Sequence, residues 1–236
     1  MGASTAAGTK LSIGTTATDG TTDTYVVVGE LVSIPEFGRT YNEVTYNPLS
    51  TRGTKKFKGS FNDGTVAVQL GKDSSDAGQA AMLAALDTDF DYNFKVELND
   101  KIPPVAATVT ISIATPGVVT DTAHGLADGT AVKFTTTGAL PTGLTAGTTY
   151  YVLGIDDDSY SVSATKGGSA ITTSGSGSGV DTRTTVPTNT TMIMKAKVMS
   201  YTTNVSTIDN VVMSTGTLSI QSGSLVETAR LPAPTA

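Results

Sequence analysis

Tyr92-Asn93-Phe94-Lys95-Val96-Glu97-Leu98 decides the fold class. Its apolar residues fall at every second position, with Asn93, Lys95 and Glu97 between them. Side chains of a strand point alternately to its two faces, so this period of two is a strand with one buried face. Asn99-Asp100 turns the strand. Pro103-Pro104 then breaks it, because proline brings no N–H to a ladder.

Immediately upstream lies the one convincing helix, over about residues 75–86. Ser75 or Asp76 can cap it, and Gln79 stands three residues after Asp76, as in a capping box. Met82, Leu83 and Leu86 keep helical spacing, and Ala80, Ala81, Ala84 and Ala85 raise helix propensity. Asp87, Asp89 and Asp91 crowd the C-terminus, where carboxylates oppose the macrodipole, so the helix is expected to stop near Leu86. A single amphipathic helix covers one face or end of a sheet.

Further upstream, Val66, Val68 and Leu70 alternate with polar or small residues as a second half-buried strand. Asn62-Asp63-Gly64 before it reads as a hairpin turn. Arg39 to Tyr46 has β-like composition, with Tyr41, Val44 and Tyr46 as candidates for burial. Tyr25 to Val28 and Glu30 to Ile34 read as one strand with a bulge at Gly29. Leu11 and Ile13 suggest a short edge strand.

Residues 47–60, N-P-L-S-T-R-G-T-K-K-F-K-G-S, lie between two of these strands without apolar periodicity. They are too long for a tight turn, and a structureless connection of this length is usually functional or disordered. They hold Arg52, Lys55, Lys56 and Lys58, four of the chain's fifteen basic residues, around Phe57. The stretch is either a solvated loop or an arm that contacts a protein or a phosphate. Asp87, Asp89 and Asp91 are likewise either a solvated face or a subunit contact.

From Val105 the character changes. Short runs around Val109–Ile113, Ala131–Phe134, Tyr150–Leu153 and Ser159–Ser163 have the rhythm of a small sandwich or barrel. The alternation S-G-S-G-S-G over 174–179 is a flexible linker by composition. Residues 104–187 therefore read as a small β-module inserted into a discontinuous domain of residues 1–103 and 188–236. Insertions succeed at exposed loop tips. The host resumes with Met194, Ala196 and Val198 alternating with Lys195, Lys197 and Met199, and the tail around Leu231–Pro234 reads as extended.

Hydrophobic residues make up 38% and charged residues 15% of the 236, enough to build a core and too little charge for a disordered tail. There is no cysteine, which excludes disulfides, thiolate metal sites and cysteine nucleophiles. No basic segment followed by an apolar one opens the chain, and no run approaches the roughly 20 apolar residues of a membrane span. The net charge of −6 divides as −4 over 1–103, −3 over 104–187 and +1 over 188–236. Beyond residues 47–60 no basic tract is present to neutralise phosphates.

His124 is the one histidine, so no pair can bind a metal, and no G-x-S-x-G elbow accompanies it. Before Gly125 it reads as a turn residue. Asp156-Asp157-Asp158 lacks the spacing and closing Glu of an EF-hand and reads as an exposed turn. No phosphate loop or dinucleotide fingerprint appears. The sequence thus offers no catalytic residue, no metal site and no cofactor site.

The order of features is similar to the tail tube (major tail) proteins of long-tailed bacteriophages. The resemblance rests on residues 30–49, on R-G-T-K-K-F-K-G-S-F, on D-A-G-Q-A-A-M-L-A-A-L before Y-N-F-K-V-E-L-N-D, and on K-A-K-V-M-S-Y-T-T-N-V-S-T-I-D-N-V-V. It covers about residues 9–101 and 188–223. The segments H-G-L-A-D-G-T-A-V-K-F, G-L-T-A-G-T-T-Y-Y-V and S-Y-S-V-S-A resemble a small β-module that recurs in phage structural proteins. The resemblance implies a mainly β, sandwich or barrel core with one flanking helix, assembled as hexameric rings stacked head to tail in the virion after synthesis in the bacterial cytoplasm. It implies a tape measure protein and tail tip and terminator proteins as partners. Double-stranded DNA would pass through the lumen unbound, since an acidic wall repels phosphates. The long loop with Asn47, Pro48, Leu49, Arg52, Lys55, Lys56, Phe57 and Lys58 would be the arm that reaches a neighbouring subunit or ring. A surface adhesin or carbohydrate-binding protein, with the Tyr-rich module as its binding domain, and a capsid decoration protein are the alternatives; Tyr150, Tyr151 and Tyr160 themselves fall on strands and read as core or cross-strand pairs.

Overall fold

The computed structural model describes residues 5–16, 20, 22–154, 156–205 and 207–229. The expected extended tail at 231–234 lies outside the described residues. In chain order the elements are β1 (Lys10–Ile13), β2 (Val26–Val28), β3 (Leu31–Ser33), β4 (Thr40–Tyr46), β5 (Lys55–Asn62), β6 (Thr65–Gly71), α1 (Ala77–Leu86) and β7 (Tyr92–Glu97). Next come β8 (Ala106–Ile111), β9 (Val119–Thr120), β10 (Ala131–Thr136), β11 (Thr149–Leu153), β12 (Ser159–Ser163) and β13 (Asp181–Thr185). The last are β14 (Thr191–Asn204), β15 (Met213–Ile220) and β16 (Val226–Thr228). The fold is mainly β with one helix among the described residues. It divides into two compact units, residues up to 99 with 190–228, and residues 100–189.

The main sheet of the first unit runs in the order β2-β1-β7-β14-β15-β6-β3, with β16 on the start of β14. Alternation in the sequence sets which face is buried. Phe94 and Val96, Val66, Val68 and Leu70, and Met194, Ala196 and Val198 all enter one core with Leu11, Ile13, Leu218 and Ile220. β1 lies inside the sheet, paired to both β2 and β7, rather than at an edge. Gly29 is not a bulge within one strand. β2 and β3 occupy opposite edges of the sheet, and only Gly29 and Glu30 join them. So short a link reaches about 10 Å at most, so the sheet must roll until its edges nearly meet.

α1 packs against this seam. Asp76 caps it, accepting from Gln79 N at 2.7 Å and from Gly29 N at 3.1 Å. Gln79 does not complete a capping box. Its buried amide donates to Gly71 O (2.8 Å) and Gly29 O (3.3 Å), while Oε1 accepts from Asp73 N and Tyr201 Oη. A buried amide with four partners outweighs one solvent-facing cap bond. Gly78 is required by contact: a Cβ there would stand 2.3 Å from Val27 O. Met82 is buried, but Leu83 faces solvent, because the strip that meets the sheet is narrow.

The module is a closed barrel in the order β10-β11-β12-β9-β8-β13 around Val132, Phe134, Val152, Tyr160 and Val162. Residues 174–179 are not an exit linker. They pair with 139–142, through Thr142 N to Ser174 O (2.8 Å) and Ala139 N to Ser178 O (3.0 Å), and β13 follows them into the barrel. Glycine there serves close approach. Gly179 holds φ +86°, and a Cβ on it would lie 2.5 Å from Gly138 N. Inside the barrel Arg183 donates Nε and Nη2 to Asp121 Oδ2 at 2.9 and 2.7 Å, and both residues are buried. Tyr160 Oη reaches the same oxygen at 3.4 Å, and burial pushes its hydroxyl pKa up. His124 is buried beside Tyr160, edge to face at 5.0 Å, with Nδ1 accepting from Leu126 N.

The module's entry and exit leave from paired strand ends. Glu97 stands opposite Thr191, and Leu98 N donates to Thr190 O at 2.9 Å. Joining residues 99 and 190 by a short Asn-Gly turn should therefore leave the first unit folded, with its far-ultraviolet dichroism and a single cooperative melt retained. Loss of the cooperative melt would contradict the insertion.

Candidate functional site

The expected arm is a β-hairpin. β4 and β5 pair antiparallel, with Glu43 opposite Lys58, Val44 opposite Phe57, Thr45 opposite Lys56 and Tyr46 opposite Lys55. The strand thus resumes at Lys55, and only residues 47–54 form a loop. Aperiodic side-chain chemistry hid the strand: neither face is buried, so no apolar alternation was selected. β5 does not pair with β6 either, and Asp63-Gly64 is a corner between two sheets rather than a hairpin turn.

Among the described strands β4 and β5 pair only with each other. Every residue of β4 and all but Gly59 of β5 are exposed. Tyr41, Val44 and Tyr46, expected inside, are 45%, 50% and 57% accessible. Pairing across the strands sorts the side chains onto two faces. On one, Tyr41 and Phe61 are ring neighbours at 5.6 Å, Lys58 Nζ sits over the Tyr41 ring, and Lys56 pairs with Glu43 at 3.0 Å. The other carries Val44, Tyr46 and Phe57 with Lys55, uncovered. Among the described residues neither Arg52 nor Lys55 has an ion pair. Asn47, Pro48, Leu49 and Arg52 form the tip, where Leu49 is fully exposed.

The hairpin's root is held tightly. Arg39, just before β4, donates Nε to Asp63 Oδ1 (2.8 Å) and Nη2 to Oδ2 (3.3 Å), and its guanidinium lies over the Phe61 ring. Gly223 N, from the loop between β15 and β16, donates to Asp63 Oδ2 at 2.7 Å. The Asp63 side chain is fully buried. The Arg39 hydrogen bonds hold its carboxyl below the usual carboxylate range. Sequence reasoning missed this site. Asp63 was visible as a turn residue, but its partners lie 24 and 160 positions away.

The three acids after α1 do not act as a group. Asp91 is engaged within the fold, by Lys197 Nζ at 3.3 Å and Gln221 Nε2 at 2.9 Å. Asp87 is the helix C-cap and Asp89 is exposed; neither side chain is in an ion pair among the described residues. Phe90, between Asp89 and Asp91, is 64% accessible. Elsewhere in this unit, an open apolar groove of about 440 Å³ runs beside Leu31, Ile34, Phe37, Val96, Leu98 and Met192. Among the described residues no three His, Cys, Asp or Glu side chains cluster, and no helix is long and apolar enough to cross a membrane. In the comparisons with known proteins, no family model and no curated sequence matches the chain.

Asp63→Asn should loosen the hairpin root. A carboxylate with a depressed folded pKa stabilises above its unfolded value of about 3.9, and that contribution is lost as pH falls through the folded value. The variant should denature earlier than the wild type in urea at pH 7, and the difference should close as the pH is lowered below about 3.9. A gap independent of pH would contradict the role of the ionised carboxylate.

Proposed function

We propose that this chain is a structural subunit of a bacteriophage tail tube, built as hexameric rings that stack head to tail into a conduit for DNA. The observation that carries this is the hairpin of β4 and β5, exposed on both faces and anchored at its root by Arg39 on the buried Asp63 carboxylate. An isolated two-stranded hairpin is marginal in water. Exposed apolar clusters of this kind mark interaction sites. A rigid root with an uncovered, aromatic and basic extension is the form of an assembly arm, completed by another copy.

The rest of the unit supports assembly. Its edge strands β2, β3 and β16 have three residues each. Edges that short avoid indiscriminate pairing yet accept a defined neighbour. A head-to-tail contact that does not close on itself generates a filament. The resemblance of residues 9–101 and 188–223 to tail tube proteins supplies the hexamer, the lumen for duplex DNA, the virion location and the tape measure, tip and terminator partners. The remaining acidic charge suits passage of DNA without capture. No reaction chemistry enters this role, and the module is an accessory to it. Tyr150 and Tyr160 are packed inside the module barrel and Tyr151 is half-buried, so they give the adhesin alternative no exposed aromatic platform.

Replacing residues 42–60 by a short turn should leave a folded protein with an unchanged cooperative melt that sediments only as a monomer, while the wild type forms large species as concentration rises. Wild-type-like assembly by the truncated chain would refute the arm.

A further inference from the structure

The hairpin's surface chemistry specifies what it binds. Residues 39–62 hold five cations and one carboxylate, a net +4, so the remainder of the chain carries −10 of the total −6. The partner surface must be apolar at its centre and acidic at its margin, and a second copy of this chain has one. Leu83 (46% accessible) and Phe90 (64%) are exposed within eight residues of each other at the end of α1. Asp87 lies one helical turn from Leu83, on the same side, and Asp89 adjoins Phe90.

The helix end is also electrostatically incomplete. The C-terminus of a helix is the negative pole of its dipole and is stabilised by cations. α1 has no basic residue in its last turn and adds a carboxylate as its C-cap. Lys197 reaches the Asp89 carbonyl and the Asp91 carboxylate, leaving the Asp87 and Asp89 side chains without an ion pair among the described residues. On the hairpin, both cations of the face with Tyr41 and Phe61 have partners there, Lys56 on Glu43 and Lys58 over the Tyr41 ring, while the two rings stay exposed. The other face has both what is uncovered and what is uncompensated: Val44, Tyr46 and Phe57, with Lys55 and, at the tip, Arg52.

We propose that the hairpin face bearing Val44, Tyr46 and Phe57 docks, in a second copy, on the C-terminal end of α1, with Leu83 and Phe90 beneath it and Asp87 and Asp89 receiving Lys55 and Arg52. The contact is heterologous, arm to helix end, so each copy gives one arm and accepts another, and the rotation between copies sets whether the series closes into a ring or runs on as a filament. Docking buries the exposed aromatics and brings the missing cations to the helix's negative pole. The inference rests on the tail tube reading in taking a second copy as the occupant.

The test is charge exchange in the full chain, read by sedimentation velocity at physiological salt, with thermal melts to verify folding. Arg52→Glu with Lys55→Glu, and separately Asp87→Lys with Asp89→Lys, should each raise the concentration at which assembly starts about tenfold or more, a factor that corresponds to about 1.4 kcal/mol. The chain with all four changes should return close to the wild-type value. Another stretch with exposed carboxylates and exposed apolar residues, Glu30 and Glu36 with Val26, Val27 and Val32, provides the control. Failure of the four-change chain to recover, or recovery with Glu30→Lys and Glu36→Lys in place of the aspartate changes, would overturn the docking site. If in either case the hairpin truncation still abolishes assembly, the arm stands and only its receptor is wrong. If the truncated chain assembles like the wild type, or the wild type never assembles, the arm and its receptor fall together.

Discussion

Gly29-Glu30 is the constraint on which the first unit depends. Two residues connect strands at opposite edges of a sheet, and the sheet can satisfy that link only by rolling. Rolling leaves a seam, and the seam is closed by polar groups from the helix. Asp76 reaches Gly29 N, Gln79 bonds Gly29 O and Gly71 O, and Gly78 allows the helix within contact of Val27. Orphaned backbone groups in such a seam would cost about 1–3 kcal/mol each, so the helix is fixed by hydrogen bonding as much as by its apolar strip. That fixes in turn where α1 ends and where its exposed residues stand.

The same economy governs the hairpin. After β3 has filled one edge, β4 and β5 have no place in the sheet, and they leave it as a separate ribbon. Asp63 makes the departure rigid. One buried carboxylate accepts from Arg39 at the start of the ribbon and from Gly223 in the body of the unit. The ribbon is therefore held in direction at its root and unsupported along its length. Such an arrangement suits the arm we propose, because an aimed arm binds with less ordering cost than a loose one.

Much of this was legible in the sequence, for reasons that separate cleanly. β6, β7 and β14 carry a period of two because one face is buried, and the helix carries its N-cap and C-terminal acids in local order. The module was visible from its change in composition. What failed was everything set by distant partners or by the absence of burial. Lys55 to Ser60 do not alternate because neither face is packed, so a strand looked like a loop. Tyr41, Val44 and Tyr46 looked like core because aromatic and β-branched residues serve interfaces and cores alike. Ser174 to Gly179 looked flexible because glycine favours both disorder and close backbone approach. The ties of Asp63 and Gln79 join positions tens of residues apart, which no local pattern reports.

The central claim is that exposed arms link identical copies into an open, hollow series. Negative-stain electron microscopy of the concentrated, full-length protein tests it most directly. The account predicts hollow tubes with a regular axial repeat and a channel wide enough for a DNA duplex. Discrete compact oligomers that fail to stack at every concentration would contradict it.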